Sequence, residues 1–310
     1  MQRAFESDFV RRVEALFEDG AATVWRRGCG DDILPRSDSG GEVQMTETAR
    51  PARAATQGPV VQPVATSEIL EVLGAGLRDF RAAPQYGLFI GAVYTLGGWV
   101  LVLLLVRFGL PYLVYPLAAG FAFIAPFIVT GLYAVSRGLE RGEPLSWGKV
   151  LGAVKGAAGR DLGWMALVTG FSLFIWMDIA ALLFFGFLGL KALSAPDLLR
   201  EIFTTPMGLL FLGLGHAVGA VLALTVFSIS VTSFPMLFDR DIDFVTAMVT
   251  SVRLVIANPK SMVLWCAVIA FLVGLSVVSG FVALFAVLPI LGHATWHLYR
   301  RAVVPAVTPT

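Results

Sequence analysis

The sequence predicts an all-α polytopic membrane protein: six transmembrane helices in three hairpins, connected by amphipathic helices on the cytoplasmic side. Three observations carry this. Apolar residues between Tyr86 and His297 fall into six blocks, each long enough to cross a bilayer. The chain is 57% hydrophobic and 15% charged, whereas an ordinary soluble domain has about 25% charged residues. The loops between the blocks alternate between rich and poor in Lys and Arg.

Residues 1–66 come first and read as a polar tail, holding 18 of the 45 Lys, Arg, Asp and Glu residues. The first ten residues have charges throughout and lack the apolar stretch of a signal peptide, so the first membrane helix is expected to direct insertion. Asp8 to Phe17 suits a short amphipathic helix, and Gly28 to Pro63 has no periodicity, as in a disordered segment. Met45 is an alternative start. Cys29 and Cys266 sit in the tail and in a membrane block, so no disulfide framework is implied.

The transmembrane domain is expected over 67–303, with a short tail at 304–310. Its spans read as 86–106, 111–135, 162–189, 206–235, 261–278 and 281–299. The last two come from one apolar run of 32 residues, Ser261 to Gly292. As a single helix this run would be about 48 Å long, against a hydrocarbon core of about 30 Å. Ser276, Ser279 and Gly280 suit a tight turn that divides it. With the N-terminus inside, twelve basic residues fall in inner loops and three (Arg107, Lys191 and Arg200) in outer loops. That bias places both termini in the cytoplasm.

A weak repeat accompanies the hairpins. Inner segments Ser67–Ala82, Ser146–Gly159 and Asp241–Ala257 each carry an apolar–basic pair: Leu77-Arg78, Val154-Lys155 and Val252-Arg253. Six residues after the basic residue stands Pro84, Asp161 or Pro259. Proline suits the first turn of a helix because it needs no N–H there. The unit is an amphipathic helix followed by a hairpin.

Five stretches carry a family resemblance: Arg78-Asp-Phe-Arg-Ala-Ala-Pro84, Pro111-Tyr-Leu-Val-Tyr-Pro116, Gly138-Leu-Glu-Arg-Gly-Glu-Pro-Leu-Ser-Trp147, Phe238-Asp-Arg-Asp-Ile-Asp-Phe244 and Gly292-His-Ala-Thr-Trp-His-Leu-Tyr-Arg300. Over about residues 67–303 the chain resembles the DUF2189 family of bacterial predicted integral membrane proteins. The resemblance implies an inner-membrane protein and brings no activity with it.

Few residues offer chemistry. Asp178 and His216 lie deep in the third and fourth spans, both about 15 Å below the outer ends. They are candidates for a proton- or cation-coupled site, because an ionisable group in a span is functional by default. The structural alternative, a single hydrogen bond or two unrelated groups reaching water, is preferred. His293 and His297 share a helix face at the inner end of the sixth span and could ligate a metal or haem. His297 also reads, with Trp296 and Tyr299, as part of an interfacial belt.

Asp239, Arg240, Asp241 and Asp243 form a charged turn in which Asp241 or Asp243 can cap the next helix. Gly87-x-x-x-Gly91 and Gly215-x-x-x-Gly219 suit close helix packing. Pro126, Pro235 and Pro289 fall in the even-numbered spans, where they can kink helices. P-loop, nucleophile-elbow, zinc-protease and dinucleotide fingerprints are absent from the sequence.

The expected role is a non-enzymatic scaffold, assembly factor or accessory subunit. A transporter of a small solute or ion using Asp178 and His216 is the alternative, and a membrane enzyme ranks third. The expected partners are the lipid bilayer, another membrane protein complex or a second copy of the chain. No cofactor is implied, and a net charge of +1 makes no case for nucleic acid.

Overall fold

The computed structural model describes residues 59–107, 127–158, 161–189 and 198–305. The tail through residue 58 (with Cys29 and Met45), the second expected span through Pro126, Lys191 and the last five residues lie outside them.

The described chain begins with a strand, β1 (Val60–Val61), antiparallel to β2 (Val303–Val304). β1 lies within the segment before residue 67 expected as a tail, and β2 lies across residue 303. The amphipathic helix α1 (Thr66–Ala82) follows. The Glu68 carboxylate accepts the Ala65 N–H and closes its first turn. Ile69, Val72 and Gly76 form the buried stripe of α1, at the spacing of one helix face. Ala83, at φ −140° and ψ 57°, ends this helix, and α2 (Pro84–Val106) starts directly after it.

A helical stretch over 127–140 (α3) leads through a turn at Gly142 to α4 (Trp147–Ala158). The long helix α5 (Leu162–Leu188) ends at Gly189, whose φ of 73° needs a residue without Cβ strain. The short α6 (Leu198–Thr204) precedes α7 (Pro206–Ser230), whose N-cap Thr205 accepts the Gly208 N–H. α7 breaks before α8 (Ser233–Asp239). Pro235 has no N–H for the Val231 carbonyl, so the ladder cannot run through. Ser251 covers the break, donating to Ser228 O at 2.7 Å and accepting the Thr232 N–H at 3.4 Å.

Ser251 belongs to α9 (Phe244–Ala257), capped by Asp243. Asn258, at φ −129° and ψ 53°, then hands over to α10 (Pro259–Val278). This junction repeats the one at Ala83–Pro84, so the first and third copies of the sequence repeat share a backbone geometry. The middle copy joins α5 through Asp161 in a helical conformation.

A turn over 279–283 leads to α11 (Leu284–Ala302). Phe281 takes a left-handed backbone there, φ 68°. Its N–H reaches Ser276 O, its carbonyl accepts Thr95 Oγ1, and Gly280 O accepts Trp99 Nε1 at 2.7 Å. These bonds dock the turn on α2.

Among the described residues, four segments are long and apolar enough to cross a membrane: Pro84–Leu104, Leu162–Leu188, Pro206–Asp239 and Pro259–Val278. The second expected span is described only from 127 onward. The sixth forms as α11, but α11 is a mixed helix packed on α1 and α2, with Gly292, His293, Trp296 and Tyr299 buried.

The core gathers where α1, α10 and α11 meet, with α8 packed on α11. Ile69, Met165, Met236, Trp265, Trp296 and Tyr299 are fully enclosed there. We call this the polar end of the molecule, because the charged side chains ring it. Toward the other end the spanning helices expose Leu182, Phe271 and Val278. Apolar exposure of this kind suits a lipid solvent.

Candidate functional site

Two places hold the candidate residues: a polar network at the polar end, and the α5–α7 helix pair.

The network is built by α1, α3, α8 and α11. His293 and His297 project from one face of α11. Asp79 comes from the last turn of α1, three residues beyond Gly76 on its buried stripe. Ser136 and Glu140 come from α3. His297 Nε2 lies 2.7 Å from Asp79 Oδ2, and Ser136 Oγ donates to the same oxygen at 2.7 Å.

The Ser136 proton is thus spent on Asp79, so Ser136 Oγ accepts from His293 Nδ1 at 2.8 Å. This fixes the His293 tautomer: the ring carries its proton on Nδ1. Nε2, fully buried, has no hydrogen-bond partner.

Burial opposes the Asp79 charge. Hydrogen bonds from His297 and Ser136, with the fields of His297 and His293, outweigh it and hold the carboxyl below its ordinary 3.8.

Glu140 extends the network. Its Oε1 accepts Trp296 Nε1 at 3.0 Å and lies 3.8 Å from His297 Nδ1. Arg300 joins Glu140 at 3.4 Å to Asp239 at 3.6 Å. Tyr299 donates to Asp239 at 2.9 Å and accepts Arg240 Nε at 2.7 Å, while Arg240 also binds the Val303 carbonyl. Arg137 lies over the Phe238 ring, 4.2 Å from its centre. The result is a latch of charges across the ends of four helices.

His293 and His297 therefore turn to different partners. They do not converge on one point, and no group of three or more potential metal ligands is found among the described residues. Of the two capping candidates, Asp243 takes the role. Its carboxylate accepts the Thr246 N–H at 2.8 Å and the Thr246 hydroxyl at 2.6 Å, while Asp241 stays exposed.

Sequence reasoning missed Asp79, Ser136 and Glu140. The available signal was Asp79 itself, a carboxylate at helical spacing on the apolar stripe of α1.

The second place is apolar. A groove of about 800 Å³ runs between α5 and α7, lined by Trp176, Phe211, Gly215, His216 and Gly219 among others. A Cβ at Gly219 would come within 3.0 Å of the Trp176 ring, which sets the register of the pair. His216 spends Nδ1 on Leu212 O of its own helix, at 2.7 Å.

Asp178 lies about 3 Å beyond Trp176 along the axis and about 200° round the helix from it, so it faces away from α7. It is exposed, and among the described residues no hydrogen bond or ion pair reaches it. Nothing links Asp178 to His216. Both lie at nearly the same depth on different faces.

The remaining glycine pair packs closely. A Cβ at Gly87 would meet Pro289 at 2.7 Å, and one at Gly91 would meet the Phe285 backbone at 2.6 Å. Pro289 lacks an N–H for the Phe285 carbonyl, so the α11 ladder is open where Gly91 packs. At Gly215 an added Cβ would meet nothing within 4 Å.

Helices of this length and composition define an integral membrane protein. Residues 114–239 match the family model of DUF2189, described as a predicted integral membrane protein. The match runs from before α3 through α8 and includes Ser136, Glu140, Asp178, His216 and Asp239. No curated protein and no solved structure matches the chain.

Proposed function

We propose that the chain is a non-enzymatic scaffold, assembly factor or accessory subunit of a larger complex in a bacterial inner membrane. In this reading it spans six times in three hairpins, with both termini and the polar end in the cytoplasm. The twelve-to-three bias of basic residues supports that orientation.

Asp178 carries the functional reading. An aspartate at mid-bilayer costs about 2.5–3.5 kcal/mol on insertion scales. A transporter places such a group in an enclosed path between its helices. Among the described residues it stands on an exposed face of α5, turned away from α7, which packs against that helix. A hydrogen-bonding side chain from another membrane protein would relieve that cost and fix the pair in register. The latch at the polar end fits the same role, since its groups bind each other and hold the domain rigid.

The groove favours transport as the second reading, because it places His216 on an apolar surface large enough for a small solute.

Asp178→Asn separates the two. The wild-type chain and the variant are purified from native membranes in mild detergent, and co-purifying proteins are identified by mass spectrometry. A stoichiometric partner that is lost in the variant at equal expression is the expected result. Wild-type chain that emerges alone, or a partner that the variant retains in full, overturns the subunit reading. Reporter fusions at both termini check the orientation.

A further inference from the structure

A second cavity, of about 840 Å³, opens at the polar end between α1 and α11. Its charged lining is Glu71, Arg78, Glu140, His297, Arg300 and Arg301. From these residues we infer that the cavity binds the phosphate of an anionic phospholipid headgroup.

Charge comes first. Among the lining side chains three guanidiniums face two carboxylates, an excess of one positive charge that falls to Arg78, since Arg300 and Arg301 are also held by Asp239 and Glu68 and His297 by Asp79. A phosphodiester carries one negative charge and matches that excess.

The guanidiniums also differ in how they are held. Arg301 binds Glu71 at 2.9 Å and Glu68 at 3.3 Å, and Arg300 binds Glu140 at 3.4 Å. Both are therefore set in place before any ligand arrives. Arg78 is exposed, lies across Gly74, and makes no hydrogen bond or ion pair among the described residues. It is the donor left over for an anion, and an arginine fork suits phosphate oxygens.

Location selects the lipid over free phosphate. Arg78 stands six residues before Pro84, where α2 begins its membrane span. The cavity therefore lies at headgroup depth. Leu70, 71% exposed, forms part of its wall and offers an apolar surface to glycerol or acyl carbons. A phosphate alone would fill only a small part of the volume. Basic pockets on the cytoplasmic side of a helix bundle are suited to anionic headgroups. The inference rests on the cytoplasmic placement of the polar end, but not on the subunit role.

The test uses the full chain in detergent, with native mass spectrometry and thermal unfolding. The probes are phosphatidylglycerol, phosphatidylcholine and inorganic phosphate. One phosphatidylglycerol is expected to bind per chain and to raise Tm more than phosphatidylcholine does. Arg78→Gln should weaken that binding about fivefold. Arg141→Gln, outside the cavity, should leave it unchanged.

Glu71→Gln, which removes an exposed acid from the wall, should instead tighten binding by a similar factor. This opposite sign keeps the inference falsifiable even where Arg78→Gln folds poorly. Equal response to the two lipids, or unchanged affinity in Glu71→Gln, overturns the inference. Protection by inorganic phosphate equal to that by phosphatidylglycerol overturns the lipid assignment.

Discussion

Asp79 shows how one side chain can decide the chemistry of a helix end. It accepts from His297 and Ser136, and through Ser136 it sets the proton on His293. Its carboxyl is held below 3.8, so the charged form is favoured in the folded state. Stability from this source is fully present above the ordinary carboxylate range and is lost as pH falls through the lowered folded value. Thermal unfolding between about pH 6 and about pH 3 should therefore show falling Tm on the acid side. Asp79→Asn should flatten part of that decline. At neutral pH the variant should be less stable by about 1–3 kcal/mol, because it strands buried donors. An acid limb unchanged in the variant would show that other carboxylates set it. Asp243 contributes to the wild-type limb in the same direction, since despite partial burial the Thr246 bonds hold its carboxyl low too.

At the scale of elements, close helix approaches depend on single hydrogens. Gly76 lets α1 lie against the backbone of α11: an added Cβ would meet Ile290 O at 2.6 Å and Ala294 N at 2.7 Å. Backbone cannot swing aside as a side chain can. Gly76→Ala should cost about 1–3 kcal/mol through overpacking. Gly215→Ala, with nothing in reach, should be neutral or gain up to about 1 kcal/mol from helix propensity. Chemical unfolding of the two variants side by side checks the contrast, and equal effects would mean that α1 does not approach α11 this closely.

The same pair shows which features the sequence made legible. Local signals carried through: proline at the starts of α2 and α10, Asp243 as a cap, and the break between Ser276 and Gly280. Each is settled by a few neighbouring residues. Gly76 gave no local signal, because its role depends on a helix more than 200 residues away. The partnership of Asp79 with His297 was hidden for the same reason. The 281–299 segment reads as an apolar block, but as α11 it is an amphipathic helix whose buried face is apolar apart from His293 and whose last turn carries Arg300 and Arg301, a pattern that counting apolar residues over the block hides.

The whole domain is closed by its first and last residues, and the repeat supplies the fastener. Asn258 occupies in the third copy the junction that Ala83 occupies in the first. Its side chain crosses to the opening strap of the domain, where Oδ1 accepts the Val64 N–H at 2.7 Å and Nδ2 donates to Gln62 O at 3.1 Å. Ser261, two residues beyond Pro259, donates to Val64 O. On its other side the strap pairs with β2, and Gln62 N–H reaches Ala302 O. The strap is thus held between the third copy and the end of α11. Asn258→Ala would leave the Val64 N–H buried without an acceptor, a loss of about 1–3 kcal/mol. Asn258→Asp would keep the acceptor and lose only the donor. Amide hydrogen exchange should therefore speed up across Val60–Val64 in the alanine variant, less so in the aspartate variant, and remain unchanged in the spanning parts of α5 and α7, whose backbone bonds lie within their own helices. Exchange that rises everywhere at once would show instead that the strap opens only when the whole domain unfolds, and that the fastener acts on global stability.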